Sequence, residues 1–458
     1  NMAAMYNPAV WAGVATVGGS QLNENYRQAA AEDFCTNLDG FIDETHRLNL
    51  KKSDIPMPAW VINDPESPVG TDNGTADYWK RSCGITEDGK QTLPDTVTYI
   101  RSAEPPYAPN QEKEAFRVCT STIPGGSADY ANLLLRRIWK DFLYRQRRWM
   151  SGPGGDLRVT KDPVANLGME YHCEEIGGWM REWYVYVPEQ VKQNPGKPVP
   201  LVFAMHGYTC SAEIYCGNSE WYKVADKHGF ILVHPTATPG TMEATTVASS
   251  PDNVALPAWN FMHTAPNGPD ELLFFRTLLE RVCVDHAIDR TRVYATGHSH
   301  GSVMTQVLAM TMPEVFAAAA PCSGVLFQGF GMDIRVLPEI RNRKDCPIPI
   351  WMFGGEQEPW LLPAVPEIDN ATGDSIRIWR GNNHLTPEIP ENWEDGWQVN
   401  GRWHDLHYAR EDGAPMVNYT WVDYMPHATM TEMSFRIWEE FFSKFSRVDG
   451  EIKYNPGV

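Results

Sequence analysis

Ser299 sits at the centre of Gly297-His298-Ser299-His300-Gly301, a Gly-x-Ser-x-Gly pentad. A serine hydroxyl becomes a useful nucleophile only beside a general base, and that base needs a third group to orient it. A histidine near the C-terminus is the expected base, and His427 in "VDYMPHATMTEMSFRIWEEFF" lies in a loop just before an amphipathic helix. His404 and His407 in "RWHDLHY" are its rivals. For the orienting carboxylate the best placed is Glu358, three residues after Gly355 in "GGEQEPW", with Glu356 as the alternative. Glutamate can serve where aspartate is commoner, because the role is to fix a tautomer and stabilise an imidazolium. As a His-x-x-His metal pair, His404 and His407 lack further ligands at a fitting spacing, and neither a metal nor an organic cofactor is expected.

Such groups work only if the chain holds them, and the flanks supply the holding elements. "TRVYATG" before the pentad reads as a short buried strand, and "SVMTQVLAM" after it carries Val303, Val307 and Met310 at helical spacing. Strand, glycine-bracketed serine, helix is the setting of a nucleophile elbow, where the turn is strained and backbones cross closely. An oxyanion needs N–H donors. The run Leu201 to Met205, ending in His206-Gly207, predicts a strand whose following loop offers the N–H of Tyr208 (or Thr209) alongside that of His300. "SEWYKVADKHG" then "GFILVHPTATPG" completes a β-α-β unit, and "PDELLFFRTLLERVCVDHAIDRTRVYATG" repeats the alternation. An α/β fold follows, with a mostly parallel sheet flanked by helices.

Composition limits the alternatives. With 458 residues the chain can hold two or three domains, and 42% hydrophobic with 21% charged residues is an ordinary globular balance. A formal net charge of −19 argues against nucleic acid or an anionic membrane surface as partner. The nearest thing to a basic cluster, "RRIWKDFLYRQRRW" (Arg136 to Trp149), reads as a packed amphipathic helix burying Ile138, Trp139, Phe142 and Leu143. No apolar run is long enough to span a bilayer. Nine cysteines without a C-x-x-C pair disfavour a zinc ribbon and suit an extracellular or periplasmic protein with a few disulfides. The chain opens at Asn1, and a processed or trimmed start is the expectation.

From about Gly168 to Phe445 the chain resembles the α/β-hydrolase family of poly(3-hydroxybutyrate) depolymerases and feruloyl or acetylxylan esterases. The resemblance rests on "LVFAMHG", "WYKVADKHGFILVHP", "AWN" (Ala258 to Asn260), "IDRTRVYATGHSHG", "PEVFAAAAPCSG" and "SFRIWEEFF". It implies a triad of Ser299, His427 and Glu358, with Trp259 and His206 at the substrate pocket. It also implies hydrolysis of hydroxyalkanoate, hydroxycinnamoyl or acetyl esters through an acyl-enzyme. The chain departs from the pattern in its glutamate and in a Trp-rich insert, roughly Leu385 to Val417, between acid and histidine.

Residues 1–150 hold a single histidine, His46, and no such pentad, yet they repeat the second half of the 165–448 domain. "NPAVWAGVATVGG" parallels "MPEVFAAAAPCSG", "DIPMPAWVI" parallels "DCPIPIWMF", "DNGTAD" parallels "DNATGD", and "RIWKDF" parallels "RIWEEF". Four matches in one order predict an internal duplication. Aligning Trp60 with Trp351 puts Ser67 opposite Glu358, and no histidine stands near Pro124, the counterpart of Pro426. The expected layout is a degenerate half-repeat without a triad (1–150), a linker (151–164), the catalytic domain and a tail (449–458). A half-sheet exposes an edge, so an upstream or cleaved segment is a candidate partner. Two other functions stay open at this point, a weakly catalytic polymer- or glycan-binding protein and an acyltransferase.

Overall fold

The computed structural model describes residues 1–18, 24–32, 51–67, 73–102, 115–149, 156–159, 164–238, 257–260, 268–325, 340, 345–358, 365–367, 370–385 and 396–457. It divides into two compact units, Asn1–Lys161 and Asp162–Val458.

The amino-terminal unit is built on β1 (Val14–Val17), β2 (Ala59–Asn63), β3 (Lys90–Leu93), β4 (Thr96–Ile100) and β5 (Arg117–Thr122), in the order β1-β2-β5-β4-β3. β1, β2 and β5 are parallel, and β4 and β3 return antiparallel. The helix Asn73–Ser82 packs Tyr78 and Trp79 onto one face with Val61 and Val118. Trp60, Ile62 and Phe142 close the other. β6 (Gln146–Trp149) pairs with β7 (Asp156–Val159), so strand structure runs into the stretch expected to be linker. The basic segment winds as a π-helix over Leu133–Phe142, and Trp139 points outward at 62% exposure, against the expectation that it packs. The wider winding shifts the side chains off a 3.6-residue periodicity.

In the carboxy-terminal unit the strands are β8 (Glu170–Ile176), β9 (Trp179–Tyr186), β10 (Val199–Met205), β11 (Ile231–Thr236), β12 (Ile288–His298), β13 (Ala318–Cys322), β14 (Ile350–Gln357), β15 (Gln398–Asn400), β16 (Trp403–Ala409) and β17 (Pro415–Pro426). Their order is β15-β16-β17-β14-β13-β12-β10-β11-β9-β8. The six central strands are parallel, and antiparallel hairpins finish both edges. The middle strands carry apolar residues to both faces. Leu201, Phe203 and Val293 join the helices Glu271–Asp285 and Ala371–Asn382 on one side, and Val202, Ala204 and Tyr294 meet Trp221–His228 and Thr431–Arg436 on the other. This is an α/β-hydrolase sheet. Its winding reverses between β10 and β12, and ligands of such sheets sit at the carboxyl ends of strands where the order reverses. The expected tail instead forms β19 (Glu451–Tyr454) against β18 (Phe445–Val448).

The array β1-β2-β5-β4-β3 has the order and directions of β13-β14-β17-β16-β15. Register matches as well, with Trp60 opposite Cys119 and Trp351 opposite Asn418. Trp60 Nε1 donates to Ser121 Oγ (2.9 Å) and Trp351 Nε1 to Thr420 Oγ1 (2.8 Å). Arg148 reaches the carbonyls of Trp11 and Pro56, as Arg447 reaches those of Phe316 and Pro347.

Among the described residues eight cysteines stand outside any disulfide; Cys35 lies outside the described residues. Cys83, Cys119, Cys216 and Cys322 are buried in the cores as small apolar side chains, so the few disulfides expected from the sequence do not form among these eight. No described helix is long and apolar enough to cross a membrane.

Candidate active site

Ser299 follows β12 directly and is the N-cap of the helix His300–Thr311, with φ 55° and ψ −115°. A non-glycine residue rarely holds such a backbone, and it persists only where its surroundings enforce it. The enforcement is visible in the glycines. A Cβ on Gly297 would collide with the backbone of Gly301, and one on Gly301 with the carbonyls of Met205 and His206. The strained serine is also tied through its N–H to the Cys322 carbonyl at 2.9 Å. Its Oγ carries no hydrogen bond among the described residues.

The carbonyl of Gly355 accepts from the Glu358 N–H (3.1 Å), which curls the end of β14 and turns the Glu358 side chain inward, to 1% exposure. Glu358 Oε2 lies 2.6 Å from His427 Nδ1, and Glu358 Oε1 accepts from Gly355 N at 3.3 Å. With the carboxylate ionised, Nδ1 is the donor and Nε2 is left to accept a proton. His427 is about one-third exposed, and Ser323 Oγ, donating to the Ala428 carbonyl at 3.2 Å, braces its loop. His404 Nε2 is engaged by Asp423 at 2.8 Å and His407 Nδ1 by Asn418 at 2.7 Å, both on the β16–β17 hairpin.

Of the two loop donors considered, the Thr209 N–H is taken by the Pro257 carbonyl at 3.0 Å. The Tyr208 N–H has no acceptor among the described residues, and the Tyr208 ring lies 5.9 Å from that of His300. The His300 N–H opens the helix after Ser299.

Behind this loop is a sealed network. His206 Nδ1 contacts the Gly207 carbonyl (2.7 Å) and His206 Nε2 accepts from Ala237 N (2.9 Å). Trp259 Nε1 donates to the His206 carbonyl, and Trp259 N donates to His300 Nδ1. Burial pushes His206 down to about 4 and His300 to about 3, so both are neutral. Trp259 (1% exposed) and His206 (0%) therefore offer no open wall to a substrate. The expected pocket role gives way to anchoring, because the indole N–H is spent on the loop backbone. The network ends at Glu271, which accepts from Asn260 N and pairs with Arg181 at 2.7 Å, both side chains 1% exposed.

Two neighbours were not singled out from the sequence. His298 lies against His427, ring centroids 4.6 Å apart and planes tilted by 44°, and burial, then His427, hold it down to about 3. Cys322 adjoins the elbow, but burial pushes its thiol up to about 12, so it is no rival nucleophile. The signal available for both was position alone, His298 inside the pentad and Cys322 in "PCSG". Among the described residues no cluster of ligating side chains could hold a metal ion.

Residues 184–350 match the family described as Esterase PHB depolymerase. Over this stretch the chain is similar to that family. Ser299 falls inside the matched residues, while Glu358 and His427 lie beyond them. Feruloyl esterase B of Talaromyces stipitatus is 33% identical over 148 residues, 32% of this chain and 36% of that protein. Poly(3-hydroxyalkanoate) depolymerase C of Paucimonas lemoignei is 32% identical over 145 residues, 31% of each. Acetylxylan esterase A of Aspergillus ficuum is 31% identical over 145 residues, 31% of this chain and 42% of that one. The chain thus spans about a third of the length of the curated relatives it matches. Among solved structures, the acetyl xylan esterase from Aspergillus awamori aligns at TM-score 0.44 and 16% identity, covering 60% of this chain and 99% of that one. The strand order of residues 162–458 is by itself that of an α/β-hydrolase.

Proposed function

We propose that the chain is a serine carboxylic-ester hydrolase working through Ser299, His427 and Glu358. The observation that carries the reading is the 2.6 Å pairing of a buried Glu358 with His427 Nδ1, in the same unit as a serine held at positive φ on an elbow. His427 Nε2 takes the Ser299 proton as Oγ attacks the ester carbonyl. The N–H groups of Tyr208 and His300 receive the oxyanion. Protonated His427 returns its proton to the departing alkoxide, leaving an acyl-serine. Water, deprotonated by His427, then attacks the acyl carbon and frees the acid and the serine. Each oxyanion donor is worth about 2.7–4 kcal/mol of barrier.

The substrate belongs to the hydroxyalkanoate, hydroxycinnamoyl or acetyl esters after which the relatives are named. An extracellular or periplasmic setting is part of the proposal. The test is a panel of p-nitrophenyl and hydroxycinnamoyl esters with wild type and Ser299→Ala. Turnover that vanishes in the variant supports the reading. Turnover on no ester, or equal in both proteins, overturns it in favour of a binding protein.

We further propose that the amino-terminal unit is a degenerate copy of the β13–β17 half of the hydrolase sheet, without a triad. Matching order, register and the paired Trp and Arg hydrogen bonds support it. The acid turn is retained too, Ser67 N donating to the Asp64 carbonyl at 3.1 Å as Glu358 N does to that of Gly355.

A further inference from the structure

The amino-terminal unit holds a cavity of about 560 Å³ over β2, β5, β4 and β3, beside the helix Asn73–Ser82. Its origin is a pair of side-chain differences between the two arrays. In the carboxy-terminal array Tyr419 follows Asn418 on β17 and faces Leu406, and both are buried. The void there, lined by Gly354, Thr372 and Tyr419, is only about 10 Å³. At the matching places on β5 and β4 stand Thr120, which follows Cys119, and its partner Val97. The smaller side chains leave open what the tyrosine and leucine fill.

The chemistry of the lining is specific. Asn63 ends β2 in the cavity wall; it is 6% exposed, and its Oδ1 is buried without a hydrogen-bond partner. Thr120, Thr122 and Gln91 add neutral hydroxyl and amide groups. The charged groups of the wall are already balanced. Lys80 pairs with Asp77 at 2.6 Å and lies 4.6 Å over the Tyr99 ring. Arg137 clamps Asp95 through two bonds of 2.7 and 3.0 Å and holds its carboxyl below the usual range. A cavity of this size suits a small ligand. An orphaned buried acceptor beside neutral hydroxyls, with no unpaired charge, suits a ligand that is uncharged and rich in hydroxyl donors.

We propose that this cavity is a binding site for a short neutral oligosaccharide, separate from the esterase site and independent of whether Ser299 is a nucleophile. The ligand's hydroxyls donate to Asn63 Oδ1 and the Gln91 carbonyl oxygen, and they exchange hydrogen bonds with Thr120 and Thr122.

The test is isothermal titration calorimetry of the full chain carrying Ser299→Ala with xylohexaose, cellohexaose and mannohexaose, and with inorganic phosphate as an anionic control. At least one hexaose is expected to bind and phosphate to give no heat. Thr120→Tyr, which installs the side chain of the filled array, is expected to weaken the hexaose at least tenfold, about 1.4 kcal/mol. In the Ser299 background it should leave ester turnover unchanged. Gln91→Ala, at an exposed rim position, keeps the test valid should Thr120→Tyr fail to fold, and is expected to weaken binding at least threefold. No heat with any hexaose overturns the proposal. So does binding of phosphate alone, or hexaose binding unchanged in folded Thr120→Tyr and Gln91→Ala.

Discussion

Replacing Glu358 by glutamine removes a charge while keeping the shape, and the geometry fixes what that should cost. Gly355 N–H donates to Oε1, so the amide oxygen prefers that side and the NH2 faces His427 Nδ1. A donor there forces His427 to carry its proton on Nε2, the tautomer that cannot accept from Ser299. The alternative is a flipped amide, which restores the useful tautomer but sets NH2 against the Gly355 N–H. An unsatisfied buried pair of that kind costs about 1–3 kcal/mol. In the flipped form the developing imidazolium also faces a neutral acceptor, losing about 1 kcal/mol of charge-assisted hydrogen bonding. The sum, about 2–4 kcal/mol, corresponds to a roughly 30- to 1,000-fold fall in kcat/KM. The assay is initial-rate hydrolysis of p-nitrophenyl acetate, with Glu356→Gln as the control, expected within about threefold of wild type. Glu358→Gln within threefold of wild type, or Glu356→Gln the worse of the two, would refute the assignment of the acid.

Three further outcomes follow from the packing around the elbow. Gly301→Ala drives a Cβ into the Met205 and His206 carbonyls and should abolish soluble folded protein or cost more than about 100-fold in kcat, whereas Gly217→Ala, open within 4 Å, should change stability by less than about 1 kcal/mol in urea melts. Arg181→Met strands the buried Glu271 carboxylate and should lower unfolding stability by about 3–5 kcal/mol, read by urea titration; a loss under 1 kcal/mol would refute the buried pair. His206, His234, His298 and His300 are buried neutral, pushed down to about 4, 4, 3 and 3, against about 6.5 when unfolded. The unfolded chain therefore binds more protons, and their contribution is intact above about pH 6.5 and lost as pH falls towards 4. Stability should drop by up to about 5 kcal/mol per pH unit in that window, and a urea midpoint flat from pH 7 to 5 would contradict this burial.

The end of the sheet that carries the candidate site was legible because its signals are local. An apolar run closed by glycine marks β10, β12 and β14, and Ser299, Tyr208 and Glu358 follow those runs directly. The fold followed from the same alternation of apolar strand runs and helical spacing. What the sequence hid depends on distant partners. Trp259 looks like a pocket aromatic until its N–H is seen bonded to the His206 carbonyl, 53 residues away. The Arg181–Glu271 pair joins residues 90 apart and leaves no pattern. Trp139 was misplaced because a helical periodicity assumes α winding, and the segment winds as a π-helix. The cysteine count suggested disulfides, although thiols such as Cys83 and Cys322 pack as apolar side chains. Tail and linker hid strands because β6–β7 and β18–β19 are four-residue hairpins with no alternation long enough to read.

The most direct test of the central claim is active-site trapping with a fluorophosphonate, followed by intact-mass measurement and peptide mapping. The account predicts one adduct per chain, on the peptide spanning Arg292 to Met304 at Ser299, with ester hydrolysis lost in proportion to labelling and no adduct in Ser299→Ala. An adduct on another residue, or full ester turnover in a protein whose Ser299 stays unlabelled, would contradict it.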